Sequence, residues 1–350
     1  MQLDRRSFMV GLAAAGTTTA LAPAVLAASK TDLNALYDKS IVIDTLSFAH
    51  AWDEEEYKAV ERSGYTGIIT SLNRSSLKVA LDQLLEWHQR VEEHPERYMF
   101  ALKTDDFLEA KKTGRLAVMM NFQNATMLEG DVDNIDILYE MGMRCFQLTY
   151  NSRNLVGDGS TERTNAGLSD FGVAVVERMN KLGILVDVSH SGKQTTLDAI
   201  EVSQKPIAFT HTMCESLRPG HPRAKEDAAL KKLADNGGVA GIAALGYFLG
   251  KNPGTDTTIE TYVDHIDHAV KLMGIPGFPG WTNPSAFAMF CPSWTNGDIP
   301  PATWKSCLAR TGCGFSGRPW ADERTLRGKD QLTTFIGFSL TERLKISGRA

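Results

Sequence analysis

Seven short, near-continuous apolar runs recur along this chain, at residues 41–44, 67–70, 116–120, 145–149, 184–188, 207–210 and 239–243. They are rich in Val, Ile, Leu and Phe and do not alternate with polar residues. Strands of that kind are buried on both faces, which requires a parallel sheet with helices packed on it. Between them lie longer stretches with helical periodicity. Residues 81–91 place Leu81, Leu84, Leu85 and Val91 on one stripe, and residues 171–182 do the same with Val175, Val176, Met179 and Leu182 before the stop at Gly183. This pattern predicts an α/β protein built as a (β/α)8 TIM-like barrel, in which polar residues at the carboxyl ends of the strands carry the chemistry. A doubly wound open sheet is the alternative, but no G-x-G-x-x-G follows the first run, so it brings no cofactor with it.

A chain of 350 residues accommodates one such barrel, and no low-complexity linker or internal repeat divides it. With 37 basic and 42 acidic side chains the formal charge is −5, which argues against nucleic acid and against a polybasic membrane contact. Five cysteines without a C-x-x-C pair exclude a disulfide scaffold and a cysteine zinc cluster. Any metal must be held by other side chains.

Residues 1–28 read as an address. Arg5 and Arg6 precede Phe8 and an uncharged run from Gly11 to Ala28 that ends in small residues. That order predicts a twin-arginine signal peptide cleaved near Ala27 or Ala28, a periplasmic location and no stable membrane span after cleavage. An uncleaved amino-terminal anchor is the other reading.

Two histidines stand out in the body. His190 ends V-D-V-S-H after the fifth run, and His211 ends I-A-F-T-H after the sixth. Imidazoles at the ends of adjacent parallel strands lie close enough to share one zinc ion; the plainer reading is that they hydrogen-bond loops. Asp187, just before His190 in V-D-V-S-H, suits a buried salt bridge as well as a ligand. Arg223, in G-H-P-R, offers a planar fork for a carboxylate, or is a solvated loop residue. Asp264 to His268 has metal-like spacing but is expected to be a solvated helix face.

V-D-V-S-H, K-P-I-A-F-T-H, H-P-R, N-G-G-V and Q-L-T-Y-N-S-R-N-L-V-G-D-G together resemble the membrane dipeptidase (renal dipeptidase-like, M19) family of metallopeptidases, over about residues 40–275. The resemblance implies a barrel of the metallo-dependent hydrolase type, with two zinc ions and a bridging hydroxide that attacks a dipeptide amide. On it, His190 and His211 are ligands of one zinc, Arg223 and Asn151 meet the substrate, and Tyr150 stands where many members have a transition-state-stabilising histidine. Three positions depart from the pattern. Leu46 and Phe48 occupy the place of an H-x-D pair, and Gln123 that of the bridging glutamate. I-D-T-L-S with F-Q-N-A resembles an atypical branch of the family. At most one zinc ion is then expected, with Gln123 as a weak third ligand. The expected activity is a metal-dependent dipeptidase-like hydrolase, weak or inactive, acting on a small peptide-like substrate. A catalytically dead barrel that binds such a ligand, or a truncated frameshifted product, are the alternatives. Homodimerisation is left open.

A further departure follows residue 275. The family's eighth strand and its aspartate should come next, yet Pro276, Gly277, Phe278, Pro279 and Gly280 stand there. Four of six Trp and three of five Cys lie beyond Gly280. Read in a shifted frame from Ala288, allowed codons spell G-Y-S-x-x-D-L and G-x-N-W-L-R-V-F, as in the family's closing helices. Residues 29–275 are therefore expected to form a barrel lacking its eighth strand. Residues 276–350 are expected to be an aberrant, frameshifted, largely irregular tail that leaves the first and last strands with unpaired edges; a lineage-specific tail, or one that supplies a surrogate strand, is the other reading.

Overall fold

A computed structural model describes residues 37–47, 49, 51–72, 75–250 and 257–274, with the backbone of two later strands. The expected signal segment, Phe48, the place expected for the eighth strand and the rest of the tail lie outside the described residues. The chain runs through β1 (Ile41–Asp44), α1 (Glu54–Ser63), β2 (Gly67–Ile69), α2 (Leu77–Glu93), β3 (Tyr98–Phe100), α3 (Thr104–Thr113) and β4 (Leu116–Phe122). It continues through α4 (Asn134–Glu140), β5 (Met143–Gln147), α5 (Asp170–Leu182), β6 (Leu185–Asp187), α6 (Lys193–Val202), β7 (Ala208–Thr212) and α7 (Asp227–Asp235). Then come β8 (Val239–Ile242), α8 (Gly246–Leu249), α9 (Ile259–Met273), β9 (Ala288–Ser293) and β10 (Phe335–Leu340).

Every ladder is parallel, in the order β8-β7-β6-β5-β4-β2-β1-β10-β9. The seven apolar runs are β1, β2, β4, β5, β6, β7 and β8, a parallel α/β barrel sheet whose strand ends share one rim. The one addition is β3, whose three residues are too few to show a period. It takes the lower half of one β4 edge, Tyr98 opposite Leu116, and β5 takes the upper half from Met120 onward.

The expected bare edges need one correction. β8 has no ladder on its outer side among the described residues, but β1 is covered: Ile41 lies opposite Phe335 and Val42 opposite Ile336 of β10. β9 then pairs with β10 along its full length. Residues 276–350 are thus not irregular at these two segments. The physical reason is that a strand edge is a row of unmatched donors and acceptors, and F-I-G-F-S-L is a β-prone segment able to match them.

The two-residue period sorts the side chains of the sheet into two cores. Leu116, Val118, Met120 and Phe122 of β4 join a large core with Leu84, Trp87, Val175, Met179 and Leu230 of the helices. Ala117 faces the other way, into a small cluster with Ile41, Ile43, Ile69 and Cys145 on the inner face of the sheet. Phe107 and Ala110 of α3 pack into that cluster and plug the amino-terminal end. Gly67 makes room for the plug, since a Cβ there would stand 2.5 Å from the Phe107 ring and 2.9 Å from the Ala117 carbonyl. Continuing up the inner face, the side chains turn polar: Asn121, Gln123, Gln147 and Asp187 are all buried.

The helices follow from caps and stripes. Ser169 accepts from Gly172 N–H to start α5, and Gly183 ends it at φ 78°, where only a glycine is unstrained. In α2 the buried stripe is Ala80, Leu84 and Trp87, so Leu85, expected inside, is turned outward. The expectation of a solvated face at Asp264 to His268 is also corrected. His265 is buried against the β7–α7 loop: its Nδ1 accepts from Cys214 N–H at 3.0 Å and its Nε2 meets the Leu249 carbonyl at 3.4 Å. Burial pulls its pKa down to about 4. Asp264 is exposed and Asp267 and His268 are half-buried, with His268 bonded to Asp227 at 2.8 Å. No helix among the described residues is long and apolar enough to cross a membrane.

Candidate active site

His190 and His211 come together at the strand-end rim. His190 lies in the turn after β6 and His211 is the penultimate residue of β7, with ring centroids 4.8 Å apart. Both are buried. Each ring is held at Nδ1. His190 Nδ1 faces Asn151 Oδ1 at 2.8 Å, and His211 Nδ1 faces Thr210 Oγ1 at 2.8 Å. Burial, and then the charges of Arg223 and Lys225, hold His211 well below the ordinary histidine range, so it is a neutral imidazole at neutral pH. Its Nε2 is buried and has no hydrogen-bond partner.

The loop after β5 supports His190 from the side. Tyr150 stacks on its ring, and Asn151 sits at φ 61° in the left-handed region, which turns its side chain to the ring nitrogen. Gly159 packs so tightly on this turn that a Cβ would stand 2.0 Å from the Asn151 carbonyl. Two residues assigned to the substrate and the transition state by resemblance are therefore in contact with a histidine.

Arg223 and Lys225 are buried, on the loop between β7 and α7. Arg223 donates to the Ser189 carbonyl at 3.3 Å and the His211 carbonyl at 3.2 Å, and lies over the Phe248 ring. That uses two of the five donors of a guanidinium. Burial lowers its pKa to about 10, and among the described residues it makes no ion pair. Lys225 is saturated instead: Nζ donates to the Val188 carbonyl at 2.8 Å, the Ser191 carbonyl at 2.9 Å and Thr196 Oγ1 at 2.7 Å. Its three bonds latch the turn that carries His190. Sequence reasoning missed Lys225, because a loop lysine two residues from a site arginine looks like every solvated lysine.

Among the described residues Asp187 forms no salt bridge. Its carboxylate takes hydrogen bonds from Ser189 and Thr210. Gln123 Nε2 donates to Ser71 Oγ, and its buried Oε1 has no partner. Gln147, also missed, donates to the Gln123 and Thr149 carbonyls and leaves its own Oε1 unmatched. Leu46, in the place of a family ligand, is fully buried, its N–H bonded to Asp44 Oδ1 at 3.0 Å. Among the described residues no three His, Cys, Asp or Glu side chains cluster as a metal cage. The donor set that does fit a metal is the imidazole pair, with Nε2 of His211 unmatched and Nδ1 of each ring tied back.

A parallel α/β barrel with a histidine pair at its strand ends belongs to the metallo-dependent hydrolase class. Residues 20–277 match the family model of membrane dipeptidase (Peptidase family M19), and the chain belongs to that family. It is similar to dipeptidase verJ of Clonostachys rogersoniana, 28% identical over 209 residues, or 59% of this chain and 53% of the relative. The chain thus spans about half the length of this curated relative. A solved amidohydrolase from Pseudomonas aeruginosa is 31% identical with a TM-score of 0.65, covering 70% of this chain and 74% of its own. The M19 metallopeptidase dipeptidase AC, 18% identical with a TM-score of 0.63 over 71% of this chain and 83% of its own, shares the fold.

Proposed function

We propose that this chain is a hydrolase of dipeptides or a related small amide that works with at most one zinc ion, held by His190 and His211 with Gln123 as a weak third donor. The observation that supports this reading is the adjacency of His211 and Arg223: a neutral imidazole with an unmatched nitrogen stands beside a buried guanidinium bonded to its own carbonyl. A zinc ion there would supply Lewis-acid polarisation of the amide carbonyl and would acidify water. Arg223 orients the ligand by receiving its carboxylate, and Lys225 adds positive field without competing for it. Tyr150 and Asn151 keep His190 in place.

Turnover is expected to be weak. Leu46 offers no ligand, and Gln123 is neutral, so no carboxylate stands ready as general base in the family's manner. The same observation favours a second reading, a barrel that binds a peptide-like ligand without cleaving it. We further infer periplasmic residence after twin-arginine export. Metal analysis of purified protein together with alanyl-dipeptide hydrolysis tests the proposal. About one zinc per chain, with turnover lost in His190→Ala and His211→Ala, is the expected result. Turnover that survives His190→Ala rules the mechanism out, and ligand binding without zinc or turnover establishes the second reading.

A further inference from the structure

We propose that Asp187 is a positioning residue that fixes the tautomer of His211 through the hydroxyl of Thr210. Asp187 ends β6, is fully buried, and is ringed by donors: Ser189 N–H at 2.9 Å, Ser189 Oγ at 2.5 Å, Thr210 N–H at 3.1 Å and Thr210 Oγ1 at 2.7 Å. An ionised carboxylate only accepts, and the four donors around Asp187 favour that form against burial, which pushes the other way; a threonine hydroxyl has one hydrogen to give. Thr210 gives it to Asp187 Oδ2. The 2.8 Å contact between Thr210 Oγ1 and His211 Nδ1 is then satisfied in one way, with Nδ1–H donating to the hydroxyl oxygen. The ring proton is thereby placed on Nδ1, and Nε2 keeps its lone pair. Nε2 is the atom found buried and unmatched.

Ser189 extends the same control to the main chain. Its hydroxyl hydrogen goes to Asp187 Oδ1, and its oxygen accepts from His211 N–H at 3.0 Å. Ser189 Oγ and Thr210 Oγ1 also lie 3.1 Å apart, two oxygens whose hydrogens are both committed to the carboxylate. One carboxylate thus sets the backbone and the ring of His211. The chain of bonds has a direction. If residue 187 donated to Thr210 Oγ1 instead of accepting, the hydroxyl would turn to Nδ1 and the proton would move to Nε2. Asparagine at 187 does this, because its amide can present an N–H.

This inference goes beyond the proposed hydrolysis and rests on it only in assigning the Nε2 lone pair a use. Its test is the nitrogen spectrum of the ring in the metal-free full chain. Protein labelled with 15N-histidine is recorded by long-range 1H–15N correlation, and His211 is assigned by its loss in His211→Gln. We expect Nδ1–H with an unprotonated Nε2 in the wild type, reversal to Nε2–H in Asp187→Asn, and retention of the wild-type pattern in Thr210→Ser. Thr210→Val is expected to lose the preference. A wild-type His211 carrying its proton on Nε2 overturns the proposal even if no variant folds, and so does an unchanged pattern in a folded Asp187→Asn. Zinc affinity is expected to fall 10- to 100-fold in Asp187→Asn, the usual loss for an outer partner of a metal ligand. A wild type that keeps Nδ1–H but holds no zinc sustains the tautomer assignment while removing the zinc reading.

Discussion

Tyr150 lies flat on His190, with ring centroids 4.0 Å apart and planes inclined by 20°. The contact is made by the face of the ring, so the hydroxyl is not needed for it. Tyr150→Phe should leave zinc affinity within about twofold, whereas Tyr150→Ala should lower it about tenfold by freeing the imidazole. Competition titration with a chromophoric chelator checks this. Equal losses in the two variants would show that the hydroxyl, not the stack, matters.

The choice of histidines is open to direct test. His190→Ala and His211→Ala should each abolish zinc retention, while His265→Ala should retain it and lose about 2 to 4 kcal/mol of stability, because Cys214 N–H is left buried without its acceptor. His265 has a folded pKa of about 4 against an ordinary 6.5, so the unfolded chain takes up the proton first. Stability should fall as pH drops from about 6.5 to 4, and His265→Ala should flatten that slope in urea melts. Zinc loss in all three variants would refute the assignment.

Lys225→Met should cost about 2 to 4 kcal/mol at alkaline pH, where the neutral amine still gives its two hydrogens to buried acceptors. Burial pulls the folded pKa of Lys225 to about 7 from an ordinary 10.5, so below 7 the folded state carries the full penalty of a buried charge. Between about 7 and 10.5 the unfolded chain holds the extra proton, and wild-type stability gains as pH rises through that window. The melting-temperature gap between wild type and Lys225→Met should therefore widen from pH 6.5 to pH 9. A gap that narrows would show that Lys225 stays charged in the fold.

Gln123 presents an unmatched amide oxygen where the family presents a carboxylate. Gln123→Glu should raise zinc affinity at least tenfold and increase dipeptide turnover, since an anionic oxygen is a far better partner for a divalent cation. Isothermal titration and a coupled amino-acid assay measure both. No gain in either would place Gln123 outside the metal's reach.

The barrel and its histidine pair were legible from the sequence because both follow local rules. Apolar runs without alternation mark buried strands, and a histidine closing such a run has to reach the rim. Three kinds of residue were hidden. β3 is too short for a period. His265 reads as one of several charged or polar positions on α9, and its burial comes from the β7–α7 loop, which no helical pattern reports. Lys225 and Gln147 owe their roles to carbonyls on other strands, Val188 and Ser191 for one and Gln123 for the other. The cover on β1 was missed for a related reason: pairing across some 290 residues leaves no mark in either segment.

The two inner layers of the sheet are separately upholstered. The lower one, from Ile41 to the Phe107 plug, is apolar and buried, and the upper one holds Asn121, Gln123, Gln147 and Asp187 beneath the rim. Folding and chemistry thus draw on different floors of one building. A rim residue can be exchanged, as at Leu46 and Gln123, with the floor still standing. The protein can change its trade, or lose it, at a residue such as Gln123, whereas Lys225 ties the site to the stability of the fold.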